Sequence, residues 1–232
     1  MPRLPWRRAR LVKTRDETSS ARTLVFDVPG WPGHLAGQHL DIRLTAEDGY
    51  TAQRSYSLAA PDDVELTVQR VDNGEVSPYL TEEMRPGDEM EVRGPVGGWF
   101  VWRPQRAEPV LLVAGGSGIV PLMSMLRARR GAGVATPFRL VYSLRSPDQL
   151  YYAGELLRPD PGVDVALVYT RAAPDGHARP PGRLTAADLD GQRAADCYVC
   201  GPTGFVEAAA DLLVGLGHDP ARVRTERFGP TG

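Results

Sequence analysis

The chain has 232 residues, with 27 basic and 29 acidic side chains and a net charge of −2 at pH 7. That length accommodates two domains of ordinary size, each with its own core, and the near-neutral balance leaves no electrostatic footprint for nucleic acid. No apolar run approaches the ~20 residues that span a bilayer, and no apolar stretch of a secretory signal follows the basic start MPRLPWRRARLVK. The expected location is therefore cytoplasmic, with neither nucleic acid nor membrane as a partner.

Residues 7–102 read as β-rich. Segments at 8–18, 21–28, 38–45, 53–60, 64–71 and 88–94 carry β-branched or alternating apolar residues. Turn material such as Pro29-Gly30, Asp48-Gly49, Pro61-Asp62 and Pro86-Gly87-Asp88 separates them. Six short strands at this spacing predict a six-stranded antiparallel β-barrel. One short helix is expected inside the series, turning at Gly74 and running from Ser77 and Pro78 to about Met84.

Arg54-Ser55-Tyr56-Ser57 is the informative tetrad of this half. Strand alternation puts Arg54 and Tyr56 on one face and Ser55 and Ser57 on the other. One reading is an edge strand with a solvated Arg and a packed Tyr. The other is a planar aromatic ligand beside Tyr56 whose phosphate tail pairs with Arg54, with Gly74 to Ser77 as a second phosphate cradle. Two anion sites with an aromatic between them fit a flavin nucleotide.

The second half opens on PVLLVAGGSGIVPLMSML. Residues 110–114 are a continuous apolar run, which suits a strand buried on both faces of a parallel sheet. Glycines 115, 116 and 118 break it, and the pattern resumes as helix at Ile119, Leu122, Met123 and Leu126. A strand, a glycine turn and a helix N-terminus favour an anionic phosphate through free N–H groups and the helix dipole. Pro121 stands where a Rossmann fingerprint has its third glycine, and no Gly-Lys-Ser/Thr follows, so a P-loop is not expected.

Further strands are predicted at 138–144, 163–169, 197–200 and 222–225, with helices at 152–158, 184–189 and 203–216. This is the βαβ alternation of a five-stranded parallel sheet. The polar, proline-containing stretch 102–107 is the expected junction, dividing the chain into 1–104 and 105–232. Ligands of open α/β sheets sit at strand C-termini. Gly116, Ser117 and Gly118 are thus candidates for a dinucleotide pyrophosphate, and Cys200, Gly201 and Pro202 end another strand. Arg145 and Arg171 each follow a strand end, where an Arg suits a ribose 2′-phosphate and an acid would suit a 2′-hydroxyl. Cys197 and Cys200 form a C-x-x-C, open to reading as a redox pair or half a zinc site. A zinc site needs about four ligands, the histidines at 34, 39, 177 and 218 show no ligand spacing, and an odd offset in a strand sends the two thiols to opposite faces. No metal is expected.

Five motifs follow one another in order: Arg-x-Tyr-Ser at 54–57, Gly-x-x-Ser at 74–77, Gly-Pro-x-Gly at 94–97 with Phe100 three residues on, Gly-x-Gly-x-x-Pro at 116–121 and Cys-Gly-Pro at 200–202. Together they resemble the ferredoxin–NADP reductase superfamily, the flavin reductase module also found in dioxygenase reductases and flavohaemoglobins, across nearly the whole chain. The resemblance implies an antiparallel FAD-binding barrel followed by a five-stranded NAD(P)-binding domain. By the same resemblance, Ser57 hydrogen-bonds near flavin N5, Cys200 and Glu226 lie at the nicotinamide, and Phe228 stacks on the flavin. Gln69, Arg70 and Val76 join Arg54, Ser55, Tyr56, Gly74 and Ser77 as FAD contacts, and Pro121 joins the nucleotide set. Thr170-Arg171 resembles the Ser-Arg pair of NADP-selective members, so NADP is expected over NAD.

The implied activity takes hydride from NAD(P)H onto bound FAD and passes single electrons to a separate acceptor, such as a ferredoxin, haem or molybdenum protein. The sequence has no C-x4-C-x2-C…C ferredoxin segment, so the acceptor is expected to be another molecule. Two other readings stay open: a flavin reductase with diffusible flavin, and a non-catalytic nucleotide-binding subunit of a larger redox complex.

Overall fold

A computed structural model describes residues 4–46, 48–191 and 193–229. Six strands form the first sheet: β1 (Arg7–Thr18), β2 (Ala21–Asp27), β3 (His39–Thr45), β4 (Thr51–Ser57), β5 (Val64–Gln69) and β6 (Glu89–Val96). They are antiparallel in the order β4-β3-β6-β1-β2-β5. The two edges meet just beyond β4, where Leu58 bridges to Leu66 and the Ala59 N–H donates to the Glu65 carbonyl at 2.8 Å. The sheet is thereby closed into a barrel, its edge groups paired instead of exposed. Its interior is the alternate set expected of strands, including Leu11, Leu24, Leu40, Ile42, Leu66 and Val92, each at most 1% exposed.

The single helical turn of this half runs through Tyr79–Glu83 and ends at Met84, as its sequence predicts. Ser77 is buried, and its hydroxyl accepts the Val71 N–H at 3.0 Å. It therefore closes the 71–77 loop on itself, with Val71, Asp72, Asn73 and Glu75 of that loop exposed.

The second sheet contains β7 (Val110–Gly115), β8 (Phe138–Leu144), β9 (Val163–Tyr169), β10 (Asp196–Pro202) and β11 (Val223–Phe228), all parallel, in the order β11-β10-β7-β8-β9. Helix α1 (Ile119–Ala132) covers one face, while α3 (Ala186–Leu189) and α4 (Thr203–Gly215) cover the other. Residues Val110 to Ala114 of β7 are at most 1% exposed, as the continuous apolar run requires of a central strand. Gly118 is where α1 meets β10: a Cβ there would stand 2.1 Å from the Cys200 carbonyl oxygen. Only glycine lets the helix start so close to the strand end.

Strand ends shift by one to three residues, β4 from 53–60 to Thr51–Ser57 and β10 from 197–200 to Asp196–Pro202 among them, and three departures from the sequence expectation have a clear physical cause. The helix predicted at 152–158 is reduced to α2 (Ala153–Leu156). Tyr152 has a left-handed backbone that cannot begin a helix, and Pro159 disfavours helical geometry at Arg158. The helix predicted at 184–189 begins later, because Thr185 is its N-cap, in a capping box with Asp188. The last strand, expected to stop at Thr225, runs to Phe228 because β10 pairs with it throughout. Trp102, in the polar junction stretch, is 1% exposed and meets Phe138 edge to face at 5.0 Å.

Candidate active site at the domain junction

The C-terminal edge of the parallel sheet faces the rim of the barrel, and the candidate residues gather where they meet. Parallel register places Cys200 beside Glu226 and Pro202 beside Phe228. On the barrel side, His39 and Ser57 are directly paired across β3 and β4. The two sides touch: His39 Nδ1 lies 3.6 Å from Glu226 Oε1. His39 carries no sequence signal, since it is a lone polar residue opening a strand.

Glu226 is the unusual group of this junction. Its side chain is three-quarters buried, and its Oε2 is buried without a hydrogen-bond partner. Burial pushes its carboxyl up to about 7, so near neutral pH it both holds and releases a proton. The solvated carboxylate that its position near the chain end would allow is not what forms. Cys200 is 1% exposed, and burial first, then the Glu226 charge, pushes its thiol well above the usual range. It is a compact uncharged wall and not a nucleophile. Burial also lowers His39, against the opposing charge of Asp41.

A cavity of about 210 Å³ opens beside this cluster. Gly116, Ser117, Arg145, Thr170, Pro202 and Phe228 line it from the sheet side, and Gln69 from the barrel. These seven were all expected from sequence. Gly115 and Leu144 also line it, as do Ser143, Gln149, Tyr151 and Phe205, and no local pattern marked these last four. Gly116 has φ +54° and nothing within 4 Å of where a Cβ would stand, so the turn before α1 presents bare backbone to the cavity. Gly201 is buried, and a Cβ there would strike the Phe205 ring at 2.7 Å. Pro121 is buried in the first turn of α1 and is not part of the lining, and Arg171 is exposed, its N–H donating to the Arg145 carbonyl at 3.0 Å.

Along β4, Ala52 and Tyr56 pack on the barrel core, and Arg54 stands between them. Burial pushes the Tyr56 phenol up to about 12, against the Arg54 charge, so it stays protonated. Arg54 is half exposed; its Nη2 lies 3.3 Å from Glu75 Oε2, and the Tyr50 hydroxyl donates to the other oxygen of Glu75 at 3.0 Å. That contact brings Arg54 to the 71–77 loop, as a shared anion site requires. At Gly74 a Cβ would come within 3.1 Å of Val71 O and Ser77 Oγ, filling the loop. The donor set, a guanidinium beside exposed loop backbone, suits a pyrophosphate, and Tyr56 suits a ring.

Other expected contacts lie elsewhere. Ser55 faces outward and donates to Asp41 at 2.7 Å. Val76 is 1% exposed in the barrel core, and Arg70 is paired with Glu82 at 2.5 Å. A larger hollow, about 540 Å³, opens between Leu44, Tyr50, Glu75 and Tyr79, at the end of β3 and β4 away from Ser57 and His39. Among the described residues no group of three or more His, Cys, Asp or Glu is placed to hold a metal ion, and no helix is long and apolar enough to cross a membrane. Cys197 and Cys200 pack in cores on opposite faces of the sheet.

Residues 8–101 match the family described as an oxidoreductase FAD-binding domain, and residues 112–211 match an oxidoreductase NAD-binding domain. The chain is 32% identical to the glycine betaine monooxygenase reductase subunit of Pseudomonas aeruginosa, over 96% of its own length and 64% of that protein. It is 30% identical to the ferredoxin–NAD(P)(+) reductase component of the Pseudomonas putida naphthalene 1,2-dioxygenase system, over 84% of its length and 61% of that protein. The chain thus spans less than two-thirds of these relatives. Among solved structures, the flavohaem-like FAD/NAD-binding domain of nitric oxide dioxygenase from Vibrio cholerae superposes with a TM-score of 0.87 at 26% identity, over 97% of this chain and 99% of that one. The chain belongs to the FAD- and NAD-binding oxidoreductases of the ferredoxin–NADP reductase superfamily.

Proposed function

We propose that this chain is a reductase component that takes hydride from NADPH onto FAD and supplies electrons singly to a separate redox protein. The observation that carries this reading is the junction itself, where His39, paired with Ser57 on one sheet, lies 3.6 Å from Glu226, paired with Cys200 on the other. FAD, when bound, accepts the hydride and gives up electrons one at a time. In this reading the chain divides at 104/105. Tyr56 and Phe228 hold the ring, Arg54 and the 71–77 loop hold the pyrophosphate, and Ser57 hydrogen-bonds beside the reacting nitrogen. Gly116 to Gly118 bind the pyridine nucleotide through the turn before α1. Cys200 and Pro202 wall in the nicotinamide and keep water out, while Glu226 holds a proton at Oε2. A purely structural carboxyl would be paired, so the lone Oε2 counts against a non-catalytic subunit. The relatives are named as reductase components of monooxygenase and dioxygenase systems, which supports a ferredoxin or an oxygenase component as acceptor.

A second reading, turnover of diffusible flavin, is favoured by the half-exposed Arg54–Glu75 pair. One experiment separates them: the anaerobic absorbance spectrum of the purified chain before and after NADPH and NADH. A yellow protein bleached by either nucleotide is expected. A colourless protein that turns over added FMN would instead establish the second reading.

Nucleotide choice is read from Arg145 in the cavity wall and Arg171 bonded to its backbone. A guanidinium contributes about 1.5–3 kcal/mol to binding a phosphate, so NADPH is expected over NADH by at least about tenfold in kcat/KM. Arg171→Ala should erase most of that preference with little change toward NADH. Equal use of both nucleotides by the wild type would count against it.

A further inference from the structure

Tyr152 has φ +55° and ψ 31°. A left-handed backbone is disfavoured for a residue with a Cβ, and it persists where the surroundings over-determine it. Here the surroundings belong to the other half of the molecule. The Tyr152 N–H donates to Glu17 Oε2 of β1 at 3.0 Å, and its hydroxyl donates to Thr67 Oγ1 of β5 at 2.5 Å. Thr67 Oγ1 lies 2.7 Å from Thr23 Oγ1 of β2, and Thr23 donates to Glu17 Oε1 at 2.7 Å.

The four residues therefore close a ring between the barrel sheet and the turn before α2. Each hydroxyl has one proton and the carboxylate only accepts, so the ring has a single order, Tyr152 to Thr67 to Thr23 to Glu17. Thr23, Thr67 and Tyr152 are each at most 5% exposed, and the Glu17 side chain is 6% exposed. A closed ring in a low-dielectric setting has one geometry, whereas an apolar contact alone can slide. Arg127 of α1 adds to the grip, donating to Glu65 and to the Ala59 carbonyl of the barrel with its guanidinium 5.1 Å from the Tyr152 ring centroid.

The location gives the ring its meaning. Tyr151, adjacent to Tyr152, and Gln69, two residues beyond Thr67, both line the 210 Å³ cavity, one from each half of the molecule. We propose that Glu17, Thr23, Thr67 and Tyr152 form a positioning clamp that fixes the gap between Tyr151 and Gln69, and with it the alignment of nicotinamide and flavin. The proposal rests on the reading of that cavity as the pyridine-nucleotide site. None of the four lines the cavity, so each acts through its neighbour.

Thr23→Val and Tyr152→Phe each delete one hydroxyl of the ring and keep the shape of the side chain. In the FAD-loaded protein, each should slow flavin reduction at saturating NADPH by about tenfold or more, as small misplacements of reacting groups do. The Kd values for FAD and NADPH should stay within about threefold. The long-wavelength charge-transfer absorbance of nicotinamide on flavin should weaken in parallel, and Thr23→Ser should restore both. The double variant should be no slower than the slower single, because one broken link opens the whole ring. Variants that melt earlier yet reduce at the wild-type rate with an unchanged charge-transfer band would overturn the clamp, as would losses that multiply in the double variant. A wild-type protein that binds FAD but is not bleached by NADPH would overturn the cavity reading, and the clamp's role with it.

Discussion

Asp196 and Glu226 are carboxylates on adjacent strands of one sheet, and they meet opposite fates. Asp196 opens β10 at the N-terminal edge, with its side chain 4% exposed. Burial would push it up, but the hydrogen bond from Arg222, the Arg224 charge and the hydrogen bond from Arg106 outweigh burial and hold it below the usual carboxylate range. Its two oxygens are met by Arg106 at 2.8 Å, Arg222 at 3.0 Å and Arg224 at 3.3 Å. Glu226, near the other end of β11, has no arginine paired with it among the described residues, and one orphaned oxygen. A charge that is fully answered holds the strands in place. One left unanswered keeps its proton available, and the two ends of the sheet divide these tasks.

The sharpest way to break the contrast is Asp196→Asn. It strands three arginines around a neutral amide, and removing one partner of a buried ion cluster costs about 3–5 kcal/mol. Urea unfolding monitored by tryptophan fluorescence should show that loss; a change under about 1 kcal/mol would make the cluster a surface feature. A somewhat smaller effect of opposite character is expected from Glu226→Gln. The folded pKa of about 7 lies above the ordinary value of 4.5, so the folded state binds this proton more tightly than the unfolded one. The stability from that proton is complete below about 4.5 and is lost as pH rises through 7. At higher pH the glutamine variant should therefore exceed the wild type by up to about 3 kcal/mol, and the gap should close on acidification. Parallel pH–stability curves for the two proteins would return Glu226 to an ordinary carboxylate. The smallest effect concerns Arg54, the half-answered cation of the barrel. Arg54→Ala should weaken FAD binding by about 1.5–3 kcal/mol, the range for hydrogen bonds to charged groups, with no change in unfolding midpoint of the flavin-free chain. Unchanged FAD affinity in a flavin titration would remove Arg54 from the site.

The strands were legible because each encodes its own burial: β7 as an unbroken apolar run, the barrel strands as alternation between turn residues. The glycine turn at 115–118 was legible for a similar local reason. The junction was not. Glu226-Arg227 has no strand pattern, and only pairing with β10 extends β11 far enough to bring Glu226 beside Cys200. His39 becomes notable only because Glu226 arrives 3.6 Å away. Tyr152 reads as the start of a helix, yet hydrogen bonds that it donates to residues 135 and 85 positions away hold it out of one. Motif order singled out Cys200, Glu226 and Phe228 where local pattern could not, because it encodes which chain segments meet. The side chains of Ser55 and Val76 follow strand alternation and core packing, Ser55 bonding Asp41 and Val76 buried in the barrel.

The two cysteines, back to back through the sheet, have a practical consequence. Each is at most 1% exposed, and burial pushes the Cys197 thiol up to about 12 and Cys200 well above its usual range. Thiolate, the species that reacts with maleimides, iodoacetamides and peroxides, is scarce at both, and their opposite orientation on β10 keeps them from joining. The native chain is in effect a thiol-silent background. A cysteine introduced on the exposed side of the barrel and another on α4 would take a dye pair with no prior removal of the natural residues, so the separation of the two halves can be read directly in solution.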